Sequence, residues 1–202
     1  IMSYKCTREK NVQILIGLLK KNKIRYVVAS PGTTNSAFVG SIQKDSFFKI
    51  YSCVDERSAA YMACGISAEM NEPVAISCTG ATASRNYASG LTEAYYRKLP
   101  ILAITSTQIR SKVGILNPQV IDRSVIPKDV ARHSVALPVV ENQSKVRECE
   151  VIVNTALLEL KRHGGGPVHL NLETTYDNVF DVEKLPNVNF IDRITSNDKH
   201  PA

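Results

Sequence analysis

The sequence lacks the features that mark membrane proteins, secreted proteins and metal or disulfide frameworks. It has no apolar run approaching 18 residues and no signal-peptide pattern, so we expect no membrane span and no secretion. Its five cysteines, at positions 6, 53, 64, 78 and 149, include no pair at CxxC spacing, and its four histidines show no ligand spacing. We therefore expect neither a metal site nor a disulfide framework, and the pattern predicts a reduced, cytoplasmic protein.

Several nucleotide and hydrolase signatures are missing too. No GxGxxG follows a predicted strand, and there is no GxxxxGK[ST] phosphate loop and no GxSxG. The net charge of +6 comes from scattered basic residues, such as those at 20–23 and 97–98, which end predicted helices. Cations at helix ends suit the helix dipole. No arginine-rich arm or basic–aromatic array occurs, so we expect no nucleic-acid partner.

The chain does contain an alternation of apolar strands and amphipathic helices. With 202 residues, 44% of them apolar, it suits one medium domain. Strands are predicted near 25–29, 50–54, 74–78, 101–105, 135–140 and 168–172, with helices between most of them. A weak helical pattern covers 119–132. Strands that are continuous apolar runs indicate a parallel sheet buried on both faces. The predicted fold is α/β: a doubly wound, mostly parallel sheet of about six strands with helices on both faces.

Loops rich in glycine and small hydroxyl residues follow several of these strands. Ser30-Pro31-Gly32-Thr33-Thr34 follows the first and Thr79-Gly80-Ala81-Thr82 the third, while Thr105-Ser106 ends the fourth. Turns need such residues in any case, but their coincidence at one sheet edge indicates a site that a ligand approaches closely. His169, inside an apolar strand, is interpreted as a hydrogen-bonded core residue.

Asp55-Glu56 ends the second strand and opens the next helix. This places Glu56 at the carboxyl end of a strand, where ligands bind in open α/β sheets. Carboxylates in a first helical turn also cap the helix and suit its dipole. Spacing alone leaves capping and chemistry open.

Together these residues resemble the pyrimidine-binding domain of thiamin-diphosphate enzymes. The resemblance runs from about Thr7 to Tyr176 and includes Ser-Pro-Gly, Asp-Glu-Arg-Ser-Ala-Ala, Pro-Val-Ala-Ile-Ser-Cys-Thr-Gly, Asn117-Pro118-Gln119 and Gly-Pro-Val-His-Leu-Asn-Leu. Within that superfamily the chain is similar to the menaquinone-pathway synthases that join 2-oxoglutarate to isochorismate (succinyl-enolpyruvyl-hydroxycyclohexene-carboxylate synthases) and to acetolactate synthases. The resemblance implies a flavodoxin-like domain of a transferase or lyase.

The resemblance also implies roles for named residues. The carboxylate matching Glu56 hydrogen-bonds a ring nitrogen of the cofactor's aminopyrimidine and favours the imino tautomer, which generates the ylid that attacks a 2-oxo acid. A dry pocket would suit that proton sharing. The other matched positions are Pro31 and Gly32 near the thiazolium and substrate, Thr79, Gly80 and Thr82 on the pyrimidine side, Asn86 supporting that loop, and Gln119 facing the substrate.

Some positions depart from the family pattern. The glycine of the 79–85 loop is placed differently, and Ser106-Thr107-Gln108 replaces the Asp-Arg-Pro typical of the menaquinone enzymes, which argues against their particular substrate. No Gly-Asp-Gly motif of the diphosphate and Mg²⁺ site occurs, so we expect those ligands in another domain, in the same or another chain.

Residues 1–176 are the predicted pyrimidine domain and 177–202 a linker or the start of a connection to a missing domain. This chain alone is expected to be inactive, and self-association is expected.

Two rivals remain open on the sequence alone. One is a catalytically silent α/β assembly domain of the same fold, which would neither bind nor need thiamin diphosphate. The other is a nucleotide-binding α/β module, which the missing phosphate loop disfavours.

Overall fold

The computed structural model describes residues 5–192 and contains a six-stranded, all-parallel sheet. Its strands are Tyr26–Ala29 (β2), Lys49–Ser52 (β3), Val74–Thr79 (β4), Ile101–Thr107 (β5), His133–Leu137 (β6) and Val168–Glu173 (β7), and they lie in the order β3-β2-β4-β5-β7-β6. Continuous apolar runs favour this arrangement, because the central strands are covered on both faces. The predicted doubly wound α/β fold is confirmed.

Helices cover both faces and bury two separate apolar cores. The helices are Lys10–Lys21 (α1), Ser36–Ile42 (α2), Glu56–Met70 (α3), Ala83–Asn86 (α4), Ala88–Tyr96 (α5) and Gln143–Lys161 (α6). One core lies between the sheet and helices α1, α2 and α6, and the other between the sheet and helices α3 and α5. Neighbouring residues of one strand point to opposite cores: Val27 and Val28 are both fully buried, in different clusters. Within the described range, no helix is both long and apolar enough to span a membrane.

Two sequence-based expectations for single elements are wrong. The strand at 50–54 is expected to be buried, but β3 is an edge strand with one neighbour; Tyr51 is exposed, and Val54 beyond its end is 85% exposed. No helix forms over 119–132; that stretch belongs to a long loop between β5 and β6, and a 3-10 turn at Arg110–Lys112 is the regular element assigned within the loop. Within it Val120 and Val130 are buried and Val125 is 82% exposed.

The ends of the described chain meet on one side of the domain. A short strand, Cys6–Thr7 (β1), pairs antiparallel with Phe180–Val182 (β8). The following segment packs on helix α1, where Val188 is buried against Gly17. The segment predicted as a linker is therefore in contact with the domain as far as Ile191. Its continuation over 193–202 lies outside the described residues.

Parallel pairing brings all carboxyl ends of the main sheet to one edge. The order β3-β2-β4 means that the chain leaves β2 in one direction, to β3, and continues to β4 on the other side of β2. This reversal is the place where open α/β sheets form ligand crevices. The loops after β2, β3 and β4 meet there.

Candidate functional site

The turn after β2 is held by a buried asparagine. Asn35 Oδ1 accepts the backbone N–H of Gly32 at 2.9 Å, while its Nδ2 donates to the carbonyl of Ser30 and to the Ser77 hydroxyl, both at 3.1 Å. Asn35 is 1% exposed, so these bonds are formed away from water. One side chain thus fixes the Ser30-Pro31-Gly32 turn against strand β4. Pro31 itself is exposed.

Gly32 and Thr79 are in direct contact across this crevice. A Cβ atom placed on Gly32 would lie 2.1 Å from Thr79 Oγ1, a distance that excludes any side chain without rearrangement. The glycine is therefore required by close approach of two loops. Two of the predicted cofactor-binding residues are brought together here.

Asp55 and Glu56 divide the two roles that the sequence left open. Asp55 is the N-cap of α3, and its Oδ1 accepts the backbone N–H of Ser58 at 2.7 Å. The hydrogen bonds from Ser58 lower the pKa of Asp55. Glu56, the first residue of the helix, instead accepts a hydrogen bond from Asn86 Nδ2 on its Oε2 at 3.0 Å. Asp55 therefore caps helix α3, and the Glu56 carboxylate takes no part in that cap.

The Glu56 carboxylate keeps one oxygen available. Across residues 5–192, Asn86 is the hydrogen-bond partner of its side chain, and Oε1 has none. Glu56 is half-buried at the surface of the domain. The dry pocket expected from the resemblance is not closed around it by the described residues. The carboxylate is oriented by an amide and open on one side, which suits contact with a ligand that donates or shares a proton.

The loop after β4 is shaped by a buried arginine. The Gly80 N–H donates to the Ser106 carbonyl, and a Cβ on Gly80 would lie 2.5 Å from that oxygen and 2.7 Å from the guanidinium of Arg123. Arg123 Nη1 donates to the Ser84 hydroxyl at 3.0 Å, and Nη2 to Asn171 Oδ1. Burial lowers the pKa of Arg123 to about 10, and the charge of Arg85 adds to this. Gly80 is therefore needed to admit both a carbonyl and an arginine.

His169 is buried at the centre of the same network. Its Nε2 lies 2.7 Å from Thr105 Oγ1 and its Nδ1 lies 2.8 Å from Ser134 Oγ. Burial lowers its pKa to about 3, with further repulsion from Arg123. The imidazole is therefore neutral at ordinary pH, and its role as a hydrogen-bonded core residue agrees with the interpretation from the sequence.

A second group of buried polar side chains lies behind Glu56. The hydroxyl of Tyr87 is close to Ser30 and Cys78, and burial raises the pKa of Tyr87 well above its ordinary value. Burial likewise raises the pKa of the Cys78 thiol to about 12. Both groups therefore stay protonated and neutral at ordinary pH.

The predicted site residues fall into two groups. Glu56 and Asn86 form one contact, and Gly32 and Thr79 another, with Gly80 next to Thr79. The resemblance has Asn86 supporting the 79–82 loop, but its side chain is bonded to Glu56 instead. Thr82 is exposed at the start of α4. Gln119 lies exposed on the long β5–β6 loop with φ of 60°, and within residues 5–192 no hydrogen bond joins its side chain to Glu56 or Asn86.

Two residues of the site are not identified from the sequence. Asn35 follows a run of small turn residues, so the sequence predicts only that it belongs to the loop. The available signal is that asparagine in a turn often hydrogen-bonds to nearby backbone groups through its side chain. Arg123 lies in a segment interpreted as weakly helical, where an arginine reads as solvent-exposed. Only the fold of the β5–β6 loop back over the sheet edge buries it.

Comparisons with known proteins agree with this geometry. The family described as thiamine pyrophosphate enzyme, N-terminal TPP binding domain, matches residues 10–129. The chain is 34% identical over 188 residues to 2-succinyl-5-enolpyruvyl-6-hydroxy-3-cyclohexene-1-carboxylate synthase of Bacteroides thetaiotaomicron, which covers 92% of this chain and 34% of the relative. It is 33% identical to the protein of the same name from Phocaeicola vulgatus, covering 92% of this chain and 33% of that one. The chain thus spans about a third of the length of the curated relatives it matches.

The structural comparison shows the same fold. The crystal structure of benzoylformate decarboxylase from Polynucleobacter necessarius superposes with a TM-score of 0.69 at 21% sequence identity, covering 93% of this chain and 33% of that chain. The sheet order, the position of Glu56 at the topological switch and the family match lead to one conclusion. The chain belongs to the thiamine pyrophosphate enzyme family, as its N-terminal TPP-binding domain.

Proposed function

We propose that the chain is the pyrimidine-binding part of an enzyme that uses thiamin diphosphate to decarboxylate a 2-oxo acid or join it to an acceptor, with Glu56 as the catalytic carboxylate. The observation that carries the proposal is the Glu56 carboxylate at the carboxyl edge of the sheet, oriented by Asn86 through Oε2 and free at Oε1. The relatives carry the name of a carboxylate synthase, which supports the alternative in which the 2-oxo acid is joined to an acceptor.

The loops around Glu56 are proposed to hold one half of such a cofactor, the aminopyrimidine. Gly32 and Gly80 lie so close to Thr79, Ser106 and Arg123 that neither can carry a side chain, so backbone would face a flat ring there. Thiamin diphosphate, when bound, supplies a thiazolium carbon that acts as nucleophile and electron sink. Glu56 would hold a proton between Oε1 and a ring nitrogen of the aminopyrimidine, and Asn86 would keep Oε2 from turning towards the ligand.

Other parts of the machinery are proposed to come from outside this chain. The chain corresponds to about a third of its relatives' length, which leaves room for a further domain to hold the diphosphate and Mg²⁺. A second domain, in the same polypeptide or in another copy, would also cover the open side of Glu56 and exclude water there. Gln119, on the exposed loop, is proposed to meet the substrate once that domain is in place.

The test is a Glu56→Gln substitution in the full-length protein. We expect turnover of 2-oxo acids to fall by about 10²-fold or more, since the amide cannot exchange the proton, while the melting temperature stays unchanged. Glu69→Gln, an exposed carboxylate of the same helix, is the matched control and should keep full turnover. Asn86→Ala should give an intermediate loss.

Calorimetric titration with thiamin diphosphate and Mg²⁺ separates binding from catalysis. Binding by the wild-type protein with turnover lost in the Glu56→Gln variant supports the proposal. Full turnover in that variant would remove Glu56 from the mechanism. No cofactor binding by the complete protein would favour the catalytically silent assembly domain.

A further inference from the structure

The outward face of helix α3 carries an exposed apolar patch. Tyr61 and Met62 are 48% and 40% exposed, and Val54, which lies between β3 and the helix, is 85% exposed. The opposite face of the helix, with Ala59 and Ala63, is buried in the core that α3 shares with α5. The outward side chains are therefore not needed for that core, and exposed apolar patches of this kind mark interaction surfaces.

Gly65 lies in the middle of this face, and the chain itself gives no reason for a glycine there. Glycine in a helix interior costs about 1 kcal/mol relative to alanine. A Cβ on Gly90 of α5 would lie 2.5 Å from the Cβ of Ala60, so that glycine admits a neighbouring helix. A Cβ on Gly65 would meet no neighbouring element within 4 Å in the described part of the chain. Close approach by a helix from outside the chain would explain Gly65 in the way that α3 explains Gly90.

Gly65 belongs to a row of four exposed residues spaced four apart: Arg57, Tyr61, Gly65 and Glu69. Residues at this spacing form a ridge on a helix surface, and such ridges pack into the grooves of a second helix. The row is complementary to its own reverse. When two copies run antiparallel, Arg57 meets Glu69 at each end, and Tyr61 meets Gly65 in the middle.

The space beside Gly65 suits an aromatic ring. An open groove of about 470 Å³ runs between α3 and the edge strand β3. Besides Gly65 it is lined by three aromatic or sulfur-containing residues, one aliphatic residue and two charged ones: Tyr26, Tyr51, Met70, Ile66, Lys49 and Glu69. A tyrosine from a second helix could bury its ring there and keep its hydroxyl near water.

The two charges of the row oppose the dipole of their own helix. Arg57 lies in the first turn of α3 and Glu69 in the last, whereas the dipole favours an anion at the start and a cation at the end. None of the ion pairs formed within residues 5–192 includes either residue. In an antiparallel pair each charge would lie beside its opposite and beside the favourable end of the second helix.

We propose that this face of α3 binds a second copy of the chain, with the two α3 helices antiparallel about a two-fold axis at the level of Ala63. A two-fold interface uses the same patch on both copies, so it requires a self-complementary surface such as this row. The contact does not include Glu56 and does not depend on the role proposed for it.

The test is charge reversal in the full-length protein, followed by sedimentation velocity over a range of concentrations. Arg57→Glu and Glu69→Arg each place like charges at both ends of the helix pair, and each should weaken self-association by about tenfold or more. Glu69→Gln, which only removes the charge, should weaken it by about threefold or less. Arg147→Glu, an exposed arginine of α6 on the other side of the sheet, is the matched control and should associate as wild type does.

An equimolar mixture of Arg57→Glu and Glu69→Arg should regain wild-type association. In a pair that contains one copy of each variant, both end contacts join opposite charges again. Recovery in the mixture therefore requires that position 57 of one chain meets position 69 of another, which no change within a single chain can imitate.

Gly65→Gln provides a second test if a charge variant fails to fold. The glutamine side chain would occupy the place of the second Tyr61, so association should weaken by about tenfold or more. In the dissociated chain a residue of higher helix propensity at position 65 should instead raise the melting temperature, measured at high dilution. A substitution that merely damages the fold would lower both.

The other outcomes overturn the proposal. These are a wild-type protein that stays monomeric, single charge reversals or Gly65→Gln that associate as wild type does, and a mixture that does not recover. Failure of the mixture alone would leave a partner of different chemistry, such as another domain, on this face. Because these measurements use neither cofactor nor turnover, they are independent of the Glu56 test.

Discussion

At the residue scale, the close contact between Gly32 and Thr79 makes a sharp prediction about stability. A Cβ on Gly32 would meet Thr79 Oγ1 at 2.1 Å, so Gly32→Ala should lower the free energy of unfolding by about 1–3 kcal/mol as Thr79 leaves its rotamer. Thr79→Ala removes that oxygen and should recover most of the loss. The measurement is urea unfolding of the two single variants and the double variant.

Gly65→Ala is the matched control. Gly65 lies inside helix α3, and a Cβ added there would have no other atom within 4 Å, so alanine should stabilise the protein by about 0.5–1 kcal/mol. Strictly additive losses for Gly32→Ala and Thr79→Ala would contradict a direct contact between the two loops.

The same scale shows what the sequence can and cannot predict about the site. Glu56 could be placed because its neighbours form a strand followed directly by a helix, so local pattern alone puts it at the sheet edge. The roles of Asn35 and Arg123 could not be predicted in this way, because each depends on a partner that is distant in the sequence. Asn35 bonds to Ser77, 42 residues away, and Arg123 bonds to Asn171, 48 residues away. Such non-local hydrogen bonds leave no periodic signal in a single sequence.

At the element scale, the segment that follows the strand at 180–182 is tied to the domain by two side chains of helix α6. Glu150 accepts the backbone N–H of Asn189 at 3.0 Å and its Nδ2 at 2.7 Å. Asn154 accepts the backbone N–H of Ile191 at 2.9 Å and donates to the Asn189 carbonyl at 2.8 Å. These bonds hold a stretch whose composition alone predicts a linker, since its polar residues find partners on the helix.

Glu150→Ala should therefore loosen this segment without unfolding the domain. We expect amide hydrogen exchange at Asn189 to become about tenfold faster or more, because a hydrogen bond to a buried carboxylate is lost. Glu148→Ala, two residues away and paired with the partly exposed Lys145, should leave that amide unchanged. Equal exchange rates in wild type and Glu150→Ala would mean that Asn154 and Val188 suffice to hold the segment.

The elements themselves are predictable where both faces of a strand are buried. β4, β5 and β7 are central strands, and their apolar runs give nearly the observed bounds. The prediction that β3 is buried is wrong because an edge strand can contain the same run of apolar residues as a central strand. The helix expected over 119–132 fails because Pro127 lacks the N–H that a helix interior needs and Asp122 Oδ1 accepts the backbone N–H of Ser124 in a local turn, while Arg123 is bonded to Asn171 of β7.

At the scale of the whole molecule, the buried histidine predicts acid sensitivity. The pKa of His169 is about 3 in the folded protein and about 6.5 in an unfolded chain. Between these two pH values the unfolded state binds one more proton at this histidine than the folded state does. Neutral His169 therefore makes its full contribution to the free energy of unfolding above about pH 6.5, and that contribution is lost as the pH falls towards about 3. The contribution to the slope reaches about 1.4 kcal/mol per pH unit.

Urea unfolding between about pH 4 and about pH 7 checks this. Wild type should lose stability on acidification more steeply than His169→Gln, whose amide can still reach Thr105 but cannot be protonated. His163→Gln, an exposed histidine after α6, should follow the wild-type slope. Parallel curves for wild type and His169→Gln would show that the imidazole accepts a proton in the folded state.

The pairing of β1 with β8 also has a consequence for biosynthesis. Cys6 and Thr7 leave the ribosome among the first residues of this stretch, yet their partners, Val182 and Phe180, are among the last. The amino-terminal strand must therefore wait, unpaired, while nearly the whole sheet is translated, at about 5–20 residues per second. Pausing of translation before residue 180 would prolong the lifetime of an exposed strand end, so this ribbon is the part of the domain most dependent on uninterrupted synthesis or on chaperone protection.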